Sequence, residues 1–314
     1  MIYGLLFISF VLIIVGAMLL TDGSVAVAKK FHVPEFIVGL TIVAVGTSMP
    51  ELTVSFMSAL TGKGDMAIGN VVGSNIFNTL LILGVCSVAS PIIFTKSNIR
   101  RDIPICIAAT VALLGVTLLN QDITRLEGIL LLAGYVTMVI FTIRADRKAL
   151  AAAPQQEAKS EESDKPMPLW RIPIWIIGGL AGLIYGGEMF VESASAIARE
   201  WGVSEATIAI TLVAGGTSMP ELASSLVSII KGKASLALGN VLGSNIANIL
   251  LILGTCSTVT PLTMGGVSMT DIYVCVGATF ILMLSALVIG RDKLTRIEGV
   301  LFILCYVAYV YTLI

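Results

Sequence analysis

TIVAVGTSMPEL at residues 41–52 lies over TLVAGGTSMPEL at 211–222, and GNVVGSNIFNTLLILG at 69–84 lies over GNVLGSNIANILLILG at 239–254. Both pairs share an offset of 170 residues, and 28 of the 44 positions from 41 to 84 are identical to their partners. One inserted residue later, TRLEG at 124–128 pairs with TRIEG at 295–299. The chain therefore reads as a duplication, with one copy at 1–143, a second at 172–314, and a linker at 144–171. The linker is the only extended polar stretch; it contains AAAP, QQEAKSEESDK and PMP and has no apolar period. Its acidic residues Glu157, Glu161, Glu162 and Asp164 lack the spacing of an EF-hand loop and read as a solvated charge run.

The solvent of both copies is lipid. The chain of 314 residues is 56% hydrophobic and 12% charged, with a mean hydropathy of +0.97, against roughly 25% charged residues in a soluble domain. Apolar runs predict ten transmembrane helices, near 3–27, 35–60, 66–92, 103–119, 126–143, 172–197, 204–230, 235–261, 271–289 and 297–313. The expected fold is an all-α polytopic membrane protein. Five helices per copy is an odd number, so the second copy enters the bilayer from the opposite side. Loop charges test this independently: successive loops carry 2, 1, 3 and 1 Lys or Arg in the first copy and 1, 2, 0 and 3 in the second. This opposite alternation is what inversion requires when basic loops stay inside. With both termini outside and the linker cytoplasmic, 16 basic residues fall inside and 3 outside, as in a multi-pass protein of the cell membrane.

Composition also excludes function classes. A net charge of −1 offers no basic surface for nucleic acid, and no GxxxxGK[ST] loop is present to bind ATP. The single histidine, His32, leaves no HExxH zinc motif and no Ser-His-Asp triad, so hydrolase readings fade. The five cysteines lie in or beside apolar runs and read as packing groups. The first basic residue is Lys29, so the N-terminal stretch reads as a retained helix rather than a cleaved signal peptide. No cofactor and no protein partner is predicted; the partners are the lipid bilayer and small cations.

Inverted repeats place binding sites near the bilayer midplane, where interrupted helices meet. Pro50 and Pro220 supply the interruptions, each lacking an amide donor and clashing with the carbonyl four residues back, that of Gly46 or Gly216. In hydrocarbon, such a break persists only where protein, water or an ion replaces the lost partner. Beside each break stands a carboxylate, Glu51 or Glu221, and no Lys or Arg lies inside the ten spans to neutralise it. An ionised carboxylate there costs at least ~2.5 to 3.5 kcal/mol, so something positive compensates. Helical spacing aligns Thr47, Glu51, Ser55 and Ser58 on one face and Thr217, Glu221, Ser225 and Ser228 on another. Asn70, Ser74 and Asn78, like Asn240, Ser244 and Asn248, form polar stripes on the helices that follow. Carboxylate, hydroxyl and amide oxygens are the ligands of hard cations, and two glutamates balance one divalent or two monovalent ions. The glycines at 69, 73, 239 and 243 read as close-packing positions. Asp22 and Glu192, near helix ends, and the unmatched Glu188 read as water-accessible acids, and Glu35 and Glu205 as favourable charges at helix starts.

At GTSMPEL with GSNIFN, repeated as GTSMPEL with GSNIAN, the chain resembles the calcium/cation antiporter superfamily, specifically the prokaryotic sodium/calcium exchangers, over essentially its full length. The resemblance implies exchange of cytosolic calcium for external sodium by alternating access, with the first and sixth helices sliding across the remaining bundle. It implies ion ligands at Glu51, Thr47, Ser48, the Ala44 carbonyl, Ser74 and Asn78. From the second copy it implies Glu221, Thr217, Ser218, the Ala214 carbonyl, Ser244 and Asn248. Many members carry Asp where this chain has Asn248, which argues against potassium dependence. Protons compete with sodium and calcium for the two carboxylates, so transport is expected to fall at low pH. The alternatives are a proton-coupled calcium or divalent cation antiporter, a passive cation channel, and a non-transporting membrane scaffold.

Overall fold

A computed structural model describes residues 2–120, 122–152, 167–203 and 214–313. Helix occupies part or all of each of the ten predicted spans. These are α1 (Ile2–Phe31), α2 (Glu35–Thr47 and Met49–Leu60), α3 (Gly64–Ala89), α4 (Asn98–Leu119), α5 (Arg125–Ala152), α6 (Arg171–Glu200), α7 (Met219–Ile230), α8 (Ala234–Val259), α9 (Met269–Ile289) and α10 (Arg296–Tyr311). Seven are at least 18 residues long and apolar enough to cross a membrane, and α2 makes an eighth with a bend of 47° at its break. The 16-residue α10 is apolar, and α7 follows the short turn Ala214–Gly216. Residues 204–213 of the predicted seventh span, with Glu205, and the acidic cluster of the linker lie outside the described residues. α5 continues as helix to Ala152, past the predicted exit near 143. There Arg101 of α4 pairs with its neighbour Asp102 (2.7 Å) and with Asp146 of α5, fastening the two helix ends together.

Four short strands give the relation between the copies. β1 (Ile92–Ile93) follows α3 and pairs antiparallel with β4 (Lys293–Leu294), which precedes α10. β2 (Asp122–Ile123) precedes α5 and pairs with β3 (Leu262–Thr263), which follows α8. Each strand after a third helix thus meets the strand before the other copy's fifth helix. Copies in the same orientation would put equivalent loops on the same side; the observed crossed pairing requires inversion. The β1–β4 end carries Lys96, Arg100, Arg101, Arg291, Lys293 and Arg296, the basic loops predicted to share one face.

Local sequence signals recur in both copies. Gly62 and Gly232 take φ of +74° and +72° to end α2 and α7, a backbone conformation only glycine adopts without strain. Thr295 caps α10 in a reciprocal box with Glu298, and Thr124 and Glu127 exchange the same bonds at the start of α5.

The third helix of each copy forms the centre. The apolar stretches of α3 and α8 are 78% and 94% buried, against 22% for α1, α5 and α6. The α2–α8 crossing is close because of glycine: a Cβ at Gly243 would lie 2.7 Å from the Leu40 Cα and 2.7 Å from the Ala44 Cβ. Gly239 is packed in the same way against Leu40, so both second-copy glycines serve close packing as expected. α1 and α6 also pair through glycine, with a Cβ at Gly16 falling 2.8 Å from the Gly179 carbonyl. All five cysteines are free thiols.

Candidate functional site

The site is built where the two broken helices meet the two central ones. In α2 the helix pauses at Ser48 (φ −83°, ψ 10°) and restarts with Pro50 in its first turn; Ser218 (φ −91°, ψ 8°) and Pro220 repeat this in α7. Proline tolerates such a position because the first turn needs no amide donor there. The Gly46 carbonyl, expected to be freed, is not left without a donor: amides at the end of the short helix bond Ala44 and Gly46. The tight turn at Ser48 brings these donors round, which is the physical reason the break survives in an apolar setting.

Glu51 and Glu221 follow the two breaks, and both are 0% exposed. Each is held from the opposite copy: the Ser48 hydroxyl donates to Glu221 Oε1 at 2.8 Å, and the Ser218 hydroxyl donates to Glu51 Oε1 at 2.8 Å. Ser74 reaches Glu51 Oε1 at 3.4 Å. The Thr217 side chain lies beside Glu51, and those of Thr47 and Ser244 lie beside Glu221. Thr47 Oγ1 also lies 3.0 Å from the Val43 carbonyl and 3.2 Å from Asn240 Oδ1. The Ser244 hydroxyl reaches across to the Ala44 carbonyl at 3.5 Å. Ala214 opens the turn before Ser218. Asn78 and Asn248, each 0% exposed, stand where α3 and α8 pass into π-helical turns at Phe77–Ile82 and Asn248–Leu253. Such turns widen a helix and recur at functional positions.

Several of these atoms lack a hydrogen-bond partner among the described residues: Glu51 Oε2, Glu221 Oε2, Thr217 Oγ1, Asn248 Oδ1, and both Oδ1 and Nδ2 of Asn78. A buried polar atom left unpaired costs about 1–3 kcal/mol, and more when charged. Among the described residues no Lys or Arg pairs with either glutamate. Two acids with spare lone pairs, surrounded by hydroxyl and amide oxygens, make an environment that one hard divalent cation or two monovalent ones would complete. The structure brings the two copies' candidates together through cross-copy bonds rather than leaving them on separate lipid-facing surfaces.

The remaining candidates have structural duties. Asn70 donates to Ser55 (3.0 Å) and to the Glu51 carbonyl (3.3 Å); Asn240 donates to Ser224 and Ser225, both at 2.9 Å. These amides fix the turns that carry the glutamates. Ser228 bonds Thr21 of α1 at 3.1 Å. Asp22 forms an ion pair with Lys231 at 2.5 Å, and Glu35, besides opening its helix, pairs with Lys233 at 2.9 Å. Glu188 and Glu192 line an open cavity between α1 and α6. Helical spacing alone missed Asn75, Asn245 and Thr79, which form a buried hydrogen-bonded cluster behind the site. They lie off the four-residue stripe, but Asn75 and Asn245 belong to the repeated GSN motif.

The profile of the family described as "Sodium/calcium exchanger protein" matches residues 1–144 and 171–314. The chain belongs to that family. The protein named "Putative antiporter CaxA" of Alkalimonas amylolytica is 37% identical across 98% of this chain and 96% of its own length. The sodium/calcium exchanger MaX1 of Methanosarcina acetivorans is 30% identical, covering 98% of each chain. Among solved structures, the sodium-calcium exchanger NCX_Mj superimposes with a TM-score of 0.83 at 30% identity, over 100% of this chain and 99% of that one. This exchanger-family chain is therefore an ion-coupled membrane transporter with the sodium/calcium exchanger fold, and its crossed strand pairs require the two copies to be inverted.

Proposed function

We propose that the chain exchanges external sodium for cytosolic calcium by alternating access, binding both ions at one site between Glu51 and Glu221. The observation that carries this reading is the reciprocal serine–glutamate pairing. Each carboxylate has one oxygen bonded from the other copy and one oxygen without a partner among the described residues. The ligand set comprises Glu51, Thr47, Ser48, the Ala44 carbonyl, Ser74 and Asn78 from the first copy. Glu221, Thr217, Ser218, the Ala214 carbonyl, Ser244 and Asn248 complete it from the second. Relatives and a solved structure named as sodium/calcium exchangers support the choice of ions.

Charge gives the coupling. Calcium and sodium need the same two carboxylates, so their occupancies exclude one another. An empty site carrying two negative charges resists closure into a low-dielectric interior, which enforces exchange over leak. The repeats at 1–143 and 172–314 supply the two mirror-related pathways, α1 and α6 moving as one glycine-packed pair across the rest. The linker at 144–171 lies in the cytoplasm and both termini lie outside the cell membrane. Calcium flux into proteoliposomes, driven separately by an imposed sodium gradient and an imposed proton gradient, tests the coupling. Flux with the sodium gradient alone is expected; flux that follows only the proton gradient would make the chain a proton-coupled calcium antiporter.

A further inference from the structure

The cluster behind the site contains a chain of hydrogen bonds whose direction is fixed by a backbone carbonyl. The Asn75 Nδ2 donates to the main-chain oxygen of Asn245 at 3.1 Å, and that oxygen can only accept. The orientation of the Asn75 amide is thereby set, and its Oδ1 faces residue 248. Asn248 Nδ2 donates to this Oδ1 at 3.0 Å. The Asn248 amide is then oriented in turn, leaving its Oδ1 as a buried acceptor with no partner among the described residues. Asn75 and Asn248 are 2% and 0% exposed, so water does not compete for either amide.

The mirror-related bond is not made. By the repeat offset it would run from Asn78 Nδ2 to Asn245 Oδ1, and both atoms are buried without partners among the described residues. Instead, the Asn245 Nδ2 donates to the Thr79 hydroxyl at 2.7 Å. The second copy has Ile249 at the place equivalent to Thr79, with no hydroxyl to draw Asn75 aside in the same way.

We infer that Asn75 is a positioning residue for cation binding: it locks the Asn248 side-chain carbonyl as a preset oxygen ligand, while Asn78 has no such lock. The inference rests on the site proposed above. Outer partners that orient a metal ligand typically contribute roughly 10- to 100-fold in affinity. The asymmetry follows from Thr79, which diverts Asn245 from the role Asn75 performs.

Calcium titrated calorimetrically into the purified full-length protein tests it. Asn75→Ala is expected to weaken calcium binding by roughly 10- to 100-fold. The same change made on an Asn248→Ala background should add nothing, whereas on an Asn78→Ala background it should have its full effect. Asn245→Ala keeps the backbone carbonyl that anchors Asn75 and should weaken binding less than Asn75→Ala. The near-isosteric Asn75→Asp keeps an acceptor for Asn248 Nδ2 but loses the donor to the Asn245 carbonyl; it provides a second variant if Asn75→Ala does not fold, and should weaken calcium binding less than Asn75→Ala. Equal losses in Asn75→Asp and Asn75→Ala, or full additivity with Asn248→Ala, would overturn the inference. Unchanged binding in Asn75→Ala alongside lost binding in Glu51→Gln would overturn it while leaving the proposed site standing. A parent protein that binds neither calcium nor sodium would overturn both.

Discussion

The Ser48 hydroxyl donates to Glu221 across the boundary between the two copies, 173 residues apart in sequence, at 2.8 Å. Its counterpart, Ser218 to Glu51, has the same length. Neither copy therefore holds its own acid by this bond, and the pair forms only when both breaks meet. Removing either hydroxyl takes from a buried carboxylate oxygen its 2.8 Å donor, and a hydrogen bond to a charged group contributes about 1.5–3 kcal/mol. Ser48→Ala and Ser218→Ala should each weaken calcium binding by about tenfold, since 1.4 kcal/mol is a factor of ten. Calorimetric titration of the two variants checks both the size and the equality of the losses.

Acidification should act by competition. Protonating Glu51 or Glu221 removes negative charge that balances a cation, so the calcium concentration for half-maximal flux should rise as pH falls. Excess calcium should restore the rate, because the proton and the metal contend for the same oxygens. Initial rates over a matrix of pH and calcium concentration read this directly. A loss of maximal rate at low pH that calcium does not reverse would place the titrating group elsewhere.

Much of this was legible in the sequence, and its limits have physical causes. The apolar runs each coincide at least in part with a helix of the described residues, eight of them long and apolar enough to span when the bent α2 is counted, because lipid forces the backbone to satisfy itself within each segment. Inversion followed from an odd helix count and loop charge, and the crossed strand pairs agree. Glu51 and Glu221 stood out because an acid beside a proline in an apolar run has no structural excuse. Asn75 did not, because in the regular α-helix Gly64–Ile76 it lies about 100° round from Ser74, off the four-residue stripe. Its partners Asn245 and Asn248 belong to the other copy, 170 and 173 positions away, where no local spacing points to them. The Asp22–Lys231 and Glu35–Lys233 pairs were equally hidden, since each joins residues about 200 positions apart.

Close packing at the α2–α8 crossing makes a stability prediction. Gly243→Ala would force a methyl group against Leu40 and Ala44, and overpacking of this kind costs typically 1–3 kcal/mol. Gly277, in α9, has no described atom within 4 Å of an added Cβ. There alanine should be neutral or stabilising by roughly 0.5–1 kcal/mol, from helix propensity alone. Thermal unfolding of the two variants in one detergent should show a lowered midpoint for the first only.

The Asp22–Lys231 ion pair and the Thr21–Ser228 bond tie α1 to α7. If α1 and α6 slide during transport, these contacts break in each cycle. Lys231→Ala should then change the maximal exchange rate while leaving calcium affinity intact, because the partly exposed pair contributes little to stability, about 0–1 kcal/mol. Flux and calorimetry on the same variant separate the two effects; altered affinity with an unaltered rate would assign the pair to the site instead.

Uptake of calcium-45 into sodium-loaded proteoliposomes, compared for the parent, Glu51→Gln and Glu221→Gln, tests the shared two-carboxylate site most directly. The parent should accumulate calcium until the sodium gradient is dissipated, and each variant should reconstitute as folded protein yet show no sodium-driven uptake. Sodium-driven uptake at the parental rate in either variant would contradict the account.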